Sequence, residues 1–199
     1  MERIAQDMDV NILLFDDFSG MDAFGMAEIF GDAPDIFHVK YLSVTGDIIN
    51  SHQGVKVWTE FFKPDEIKDV LIIPGGPGIR RIMRDEKFIA NLAKAADNAS
   101  LCLSISLGTV LLAKTGLLFH RNIALHKTEE EWVTSQTGGI NWMTDVKWLE
   151  DGKFYTASSS IAGIDMAIDF IATQFDINLA NKLAKQIGHD WNIYDNHYI

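Results

Sequence analysis

The sequence predicts an α/β fold: a mainly parallel sheet covered on both faces by helices. Three observations carry this. Short, nearly continuous apolar runs recur, among them Val10 to Phe15, Val70 to Ile73 and Leu101 to Leu103. Such runs are too short for buried helices and too uniformly apolar for strands with one wet face. Stretches with helical period separate them, which is the alternation of a sheet wrapped by helices. Glycine and proline then punctuate the run ends, most densely at Pro74-Gly75-Gly76-Pro77-Gly78.

In chain order, the Val10 run is followed by a helix from about Asp22 to Phe30. Phe37 to Val44 reads as a strand. Ile48 to Ser51 and Val55 to Thr59 flank Gly54 as a hairpin, and Val70 to Ile73 is a buried strand. Lys87 to Asn98 is helical, with Ile89, Leu92, Ala93 and Ala96 on one face. The Leu101 strand leads through Ser106 into a helix. Ile123 to His126 is a short strand and Glu129 to Ser135 a helix. Asp145 to Leu149 and Phe154 to Ala157 form a second hairpin around Asp151-Gly152. Helices over about Ile164 to Phe175 and Asn178 to Ile187 follow. The Glu129-Glu130-Glu131 run reads as the solvated first turn of its helix, where carboxylates suit the dipole.

With 199 residues, 47% apolar and 23% charged, one domain over 1–199 is expected. A net charge of −11 argues against nucleic acid or an anionic membrane as a partner. No apolar run has the length of a membrane span, and Met1 to Val10 lacks the layout of a signal peptide. The lone Cys102 rules out an internal disulfide and any multi-thiolate site, so a cytoplasmic protein is expected. No cofactor is implied. Histidines 38, 52, 120, 126, 189 and 197 show no metal-site spacing, so no metal is expected either.

The most informative local feature is Leu101-Cys102-Leu103-Ser104-Ile105-Ser106-Leu107-Gly108-Thr109: a strand, a sharp turn, then a helix on small residues. Such an elbow pushes Ser106 out of the sheet and towards the helix N-terminus. Ligands in parallel sheets bind beyond the carboxyl ends of strands. Asp22, Gly75-Gly76, Ser106 and His126 all fall there on this assignment. Asp22 either caps its helix or aims a carboxyl at the elbow. Gly75 and Gly76 form a simple turn or, with the Leu107 amide, hold an oxyanion. Glu28 caps, pairs or lines the pocket; the sequence does not separate these. His126 is a strand-end residue bonded to backbone or the base for Ser106. Cys102 reads as inert core.

Together these residues resemble the DJ-1/PfpI superfamily over nearly the whole chain, from Val10 to about Trp191. Asp22-Ala23-Phe24-Gly25-Met26-Ala27-Glu28-Ile29-Phe30 is similar to its D-x-x-G-P-x-E-V-F segment, with Met26 in place of proline. Asp69-Val70-Leu71-Ile72-Ile73-Pro74-Gly75-Gly76 is similar to D-V-L-I-V-P-G-G, and Ala162-Gly163-Ile164-Asp165 to A-G-I-D. Leu112 to Leu118 and Asp151 to Thr156 match the post-elbow helix and the late hairpin. The resemblance implies a flavodoxin-like three-layer sandwich, class I glutamine amidotransferase-like, nearest the bacterial isonitrile hydratase and amidase-related branch. It also implies a small-molecule ligand and a homodimer. Apolar Met21, Phe24, Met26 and Phe30 on the early helix agree with pairing.

The departure from the family is at the elbow. V-C-T-G-S, with cysteine as nucleophile, reads Ile105-Ser106-Leu107-Gly108-Thr109 here. Ile161 replaces a common pocket hydroxyl. A serine needs an adjacent base where a thiol at this position does not. Three functions follow as expectations. One is a hydratase or hydrolase using Ser106, Asp22 and His126. The second is a non-catalytic small-molecule-binding or regulatory member. The third is an α/β-hydrolase with Ser106, Asp165 and His189 in that chain order.

Overall fold

A computed structural model describes residues 7–192. The reading of residues 1–6 and of His197 lies outside the described residues. The chain opens with β1 (Met8–Leu13) and α1 (Gly20–Gly31), then β2 (Phe37–Ser43) and the hairpin β3 (Ile48–Asn50) and β4 (Lys56–Trp58). Next come β5 (Glu60–Phe61), β6 (Val70–Ile73), α2 (Ile79–Ile82), α3 (Glu86–Asn98), β7 (Leu101–Ile105) and α4 (Gly108–Lys114). The rest is β8 (Asn122–Ala124), α5 (Glu130–Gln136), β9 (Asn141–Met143), β10 (Trp148–Asp151), β11 (Phe154–Ala157), α6 (Ser160–Gln174) and α7 (Ile177–Gln186).

Seven strands form one sheet in the order β10-β11-β7-β6-β1-β2-β5. All neighbours are parallel except β10 and β11. Helices cover both faces, as the alternation along β7 shows. The Cys102 thiol donates to Ala96 O on α3, and Ser104 shares a hydroxyl bond with Thr109 on α4. Ile105 points the other way, against Gly163 of α6. That is why β6 and β11 are buried residue after residue. Register pairs Ile73 with Ser104 and Ile105 with Ala157. The chain therefore leaves β6, β7 and β11 at one edge, at Pro74, Ser106 and Ser158, and the site is built there.

Three short elements escape sequence reading. β5, α2 and β9 span two to four residues, below any useful periodicity. One expected strand is displaced. The Ile123 to His126 run ends as β8 at Ala124 and pairs with β9 in a separate two-stranded sheet. His126 thus does not emerge from the main sheet. On α1, Met26 and Phe30 are fully buried and Phe24 is half-buried, which leaves Met21 as the outward apolar residue. The excess of apolar surface inferred for that helix is therefore mostly core.

Candidate functional site

The elbow has the expected strained backbone. Ser106 adopts φ 53°, a left-handed conformation that costs a non-glycine residue about 1 kcal/mol. Its amide is spent on the neighbouring strand, donating to Ala157 O at 2.8 Å. The side chain is left facing a cavity of about 380 Å³ lined by Asp22, His52, Gly76, Arg80, Leu107 and Ser160 among others.

Asp22 does not cap α1. Ser19 does, its hydroxyl accepting the Asp22 amide at 3.4 Å. The Asp22 side chain is thereby free to turn inward, where it is 1% exposed. One carboxyl oxygen accepts the Gly75 amide at 2.8 Å. The other accepts a short hydrogen bond from Ser160 Oγ. Burial pushes the Asp22 pKa up, against the lowering pull of the Ser160, Gly75 and Ser19 hydrogen bonds. Burial thus makes this carboxyl easier to protonate than an exposed aspartate.

The glycines here are steric necessities. A Cβ on Gly75 would sit 2.8 Å from Asp22 Oδ2 and 3.0 Å from the Leu107 nitrogen. Gly76 has φ 127°, and a Cβ there would lie 2.5 Å from Asp17 O. The Gly76 and Leu107 amides find no protein acceptor among the described residues. They are donors open to a ligand oxygen. Ser106 Oγ likewise has no hydrogen-bond partner among the described residues.

The structure therefore brings together Asp22, Gly75, Gly76, Ser106 and Leu107, and leaves three candidates outside. Glu28 is exposed on α1, six residues and nearly two turns beyond Asp22. Its resolved influence is on Tyr41, whose pKa it helps burial to raise. Ile161 is 50% exposed and not on the cavity wall; the hydroxyl thought missing there comes from Ser160, one residue earlier. His126 caps the 3₁₀ turn over Lys127–Glu129, its Nδ1 2.8 Å from Thr128 Oγ1, and does not line the cavity.

Sequence reasoning missed His52 and Arg80. His52 sits at the tip of the β3–β4 hairpin, which is tied to the start of α1. The His52 amide donates to Phe18 O, and Gln53 Oε1 accepts the Gly20 amide at 2.9 Å. Only tertiary contact puts it on the wall. Arg80 stands four residues after the Gly76 turn, a spacing that was legible.

His189 and Asp165 do pair, at 2.6 Å, but neither lines the cavity holding Ser106. The pair joins α6 to the segment after α7.

The DJ-1/PfpI family profile matches residues 8–173, and the chain belongs to that family. It is 24% identical to the isonitrile hydratase of Pseudomonas putida over 184 residues, 92% of this chain and 78% of the relative. A THiJ/PfpI family protein from Pseudomonas syringae superposes with a TM-score of 0.82 at 21% identity, over 94% of this chain and 76% of that one. Drosophila melanogaster DJ-1beta gives a TM-score of 0.81 at 15% identity, over 94% of this chain and all of that one. Family membership removes the α/β-hydrolase alternative.

Proposed function

We propose that this chain is a small-molecule-binding member of the DJ-1/PfpI family on an isonitrile hydratase-type scaffold, with no covalent chemistry at residue 106. One observation supports this above others. Ser106 Oγ has no base bonded to it among the described residues, whereas the rest of the pocket is built. A serine hydroxyl without a base stays protonated and weakly nucleophilic. The open Gly76 and Leu107 amides and the buried Asp22 carboxyl serve a ligand's oxygen atoms instead. Mass spectrometry after incubation with isonitriles, glyoxals and acyl esters tests this: unmodified Ser106 is expected, and an adduct there overturns it.

One observation favours a second reading, a hydratase. Asp22, whose pKa burial raises, lines the same cavity wall as an exposed histidine, His52. In that case Ser106 orients water and Asp22 exchanges protons with the substrate. Conversion of an isonitrile to the N-substituted formamide, lost in Asp22→Asn, would establish it.

We also place the protein in the cytosol as a homodimer of one-domain chains. Met21, together with Ile48 and Trp58, cross-strand partners that are 48% and 70% exposed, supports pairing. A monomer mass by light scattering at micromolar concentration would overturn it. Among the described residues no helix is long and apolar enough to cross a membrane.

A further inference from the structure

We propose that the cavity selects small organic anions and that Arg80 binds their carboxylate. The inference rests on the reading of this cavity as a ligand site and adds the ligand's chemistry. Arg80 is the one permanent cation among the described residues on the wall. It is also held in place. Its guanidinium lies 3.8 Å over the Trp132 ring, and its Nη2 donates to Glu129 Oε2 at 3.4 Å. Stacking on an aromatic face fixes the plane of the fork and lowers the entropy lost on binding.

The Glu129 contact is long for a charge-assisted bond, which closes to about 2.7–2.9 Å. Glu129 is therefore a weak hydrogen-bond partner in an ion pair that an incoming carboxylate would share. It also occupies only one corner of the fork. Nε and Nη1 have no protein acceptor among the described residues, and Nη2 carries a second hydrogen, so Nη2 with one of these two nitrogens still presents an edge able to bind a carboxylate.

The rest of the ligand-facing wall matches that charge. The Gly76 and Leu107 amides and the Ser106 hydroxyl all offer hydrogens. The one carboxyl, Asp22, already accepts from Gly75 and Ser160. A wall of donors around a cation suits a molecule rich in acceptors, such as a carboxylate with an adjacent carbonyl. The carboxylate pairs with Arg80 and the carbonyl oxygen takes the amides. A volume of about 380 Å³ admits a compact molecule of this kind.

Pyruvate and pyruvamide share a shape and differ in charge, so titration calorimetry on the full chain with both probes tests the proposal. Pyruvate is expected to bind about tenfold more tightly than pyruvamide. Arg80→Gln should erase that preference by weakening pyruvate about tenfold more than it weakens pyruvamide. Arg80→Lys should restore part of the loss, since it keeps the charge without the fork. Pyruvamide binding as tightly as pyruvate overturns anion selection and leaves the ligand site intact. Equal weakening of both probes in Arg80→Gln makes Arg80 a prop for the wall and also overturns the proposal. If neither probe binds the native chain, anion selection and the ligand-site reading fall together.

Discussion

The carboxyl of Asp22 accepts a hydrogen bond from Ser160 Oγ, tying the first turn of α1 to the first turn of α6 across 138 positions of sequence. Its other oxygen holds the Gly75 amide. One side chain thus fixes three of the segments that frame the cavity. Asp22 is both a site residue and a strut, and substitutions there must be read for both.

Asp22→Ala is expected to cost about 1–3 kcal/mol, because it leaves the buried Gly75 amide without an acceptor. Asp22→Asn keeps an acceptor for that amide and should cost less. Urea denaturation of both variants checks the order. Equal losses would show that the Gly75 bond is not what Asp22 supplies to stability.

The turn glycines should be far less tolerant than the helix-end glycine. Gly76→Ala combines φ 127° with a Cβ 2.5 Å from both Asp17 O and Ser19 N. Gly108→Ala drives a Cβ to 2.2 Å from Ile73 O. Each is expected to lose about 3 kcal/mol or more through backbone displacement. Gly31→Ala, at the end of α1 with nothing within 4 Å of its Cβ, should be neutral or gain about 0.5 kcal/mol. Thermal melts of the three variants decide this.

Much of the fold was legible because the central strands are buried on both faces. Val70 to Ile73 had to be a run of consecutive apolar residues, and it is buried at every position. The elbow was legible because only a turn between a buried strand and a small-residue helix fits Ile105-Ser106-Leu107-Gly108. His126 was misplaced because three residues of β8 look alike whether they join the main sheet or pair with β9. His52 was invisible because its place on the wall depends on where a hairpin docks. Glu28 was read from its place on the Asp22 helix and Ile161 from the family pattern; here Glu28 faces solvent and Ser160 supplies the hydroxyl.

Asp169 on α6 should make stability fall as pH rises through the weakly acidic range. Burial, with Glu150 nearby, pushes its pKa from 3.8 to about 6. Below 3.8 both folded and unfolded chains carry the proton. Between 3.8 and about 6 the unfolded chain releases it first, so the folded state is progressively disfavoured. Above that window the penalty is constant. Asp169→Asn removes the ionisation, so its stability relative to the native chain should grow from pH 4 to pH 6.5 and then level off. A difference that is flat with pH in urea titrations would exclude Asp169 as the source.

Ser106→Cys should create one reactive thiol while Cys102 stays inert. Cys102 is fully buried, bonded to Ala96 O, and burial pushes its pKa up to about 12. At neutral pH it has almost no thiolate to react. Position 106 is half-buried, faces the cavity and lies beside the open Leu107 amide and the start of α4. A thiolate there is favoured by the dipoles of that turn, and the Asp22 carboxyl stands on the same wall. The native chain is therefore expected to label slowly with a thiol reagent. The variant should label rapidly at one site, and mild peroxide should carry that site to sulfenic or sulfinic acid, read by peptide mass spectrometry. Fast labelling of native Cys102 would mean that β7 opens far more readily than its burial implies. An unreactive thiol in a folded variant would mean that the cavity lacks the activating environment as well as the nucleophile, leaving ligand binding as its sole role.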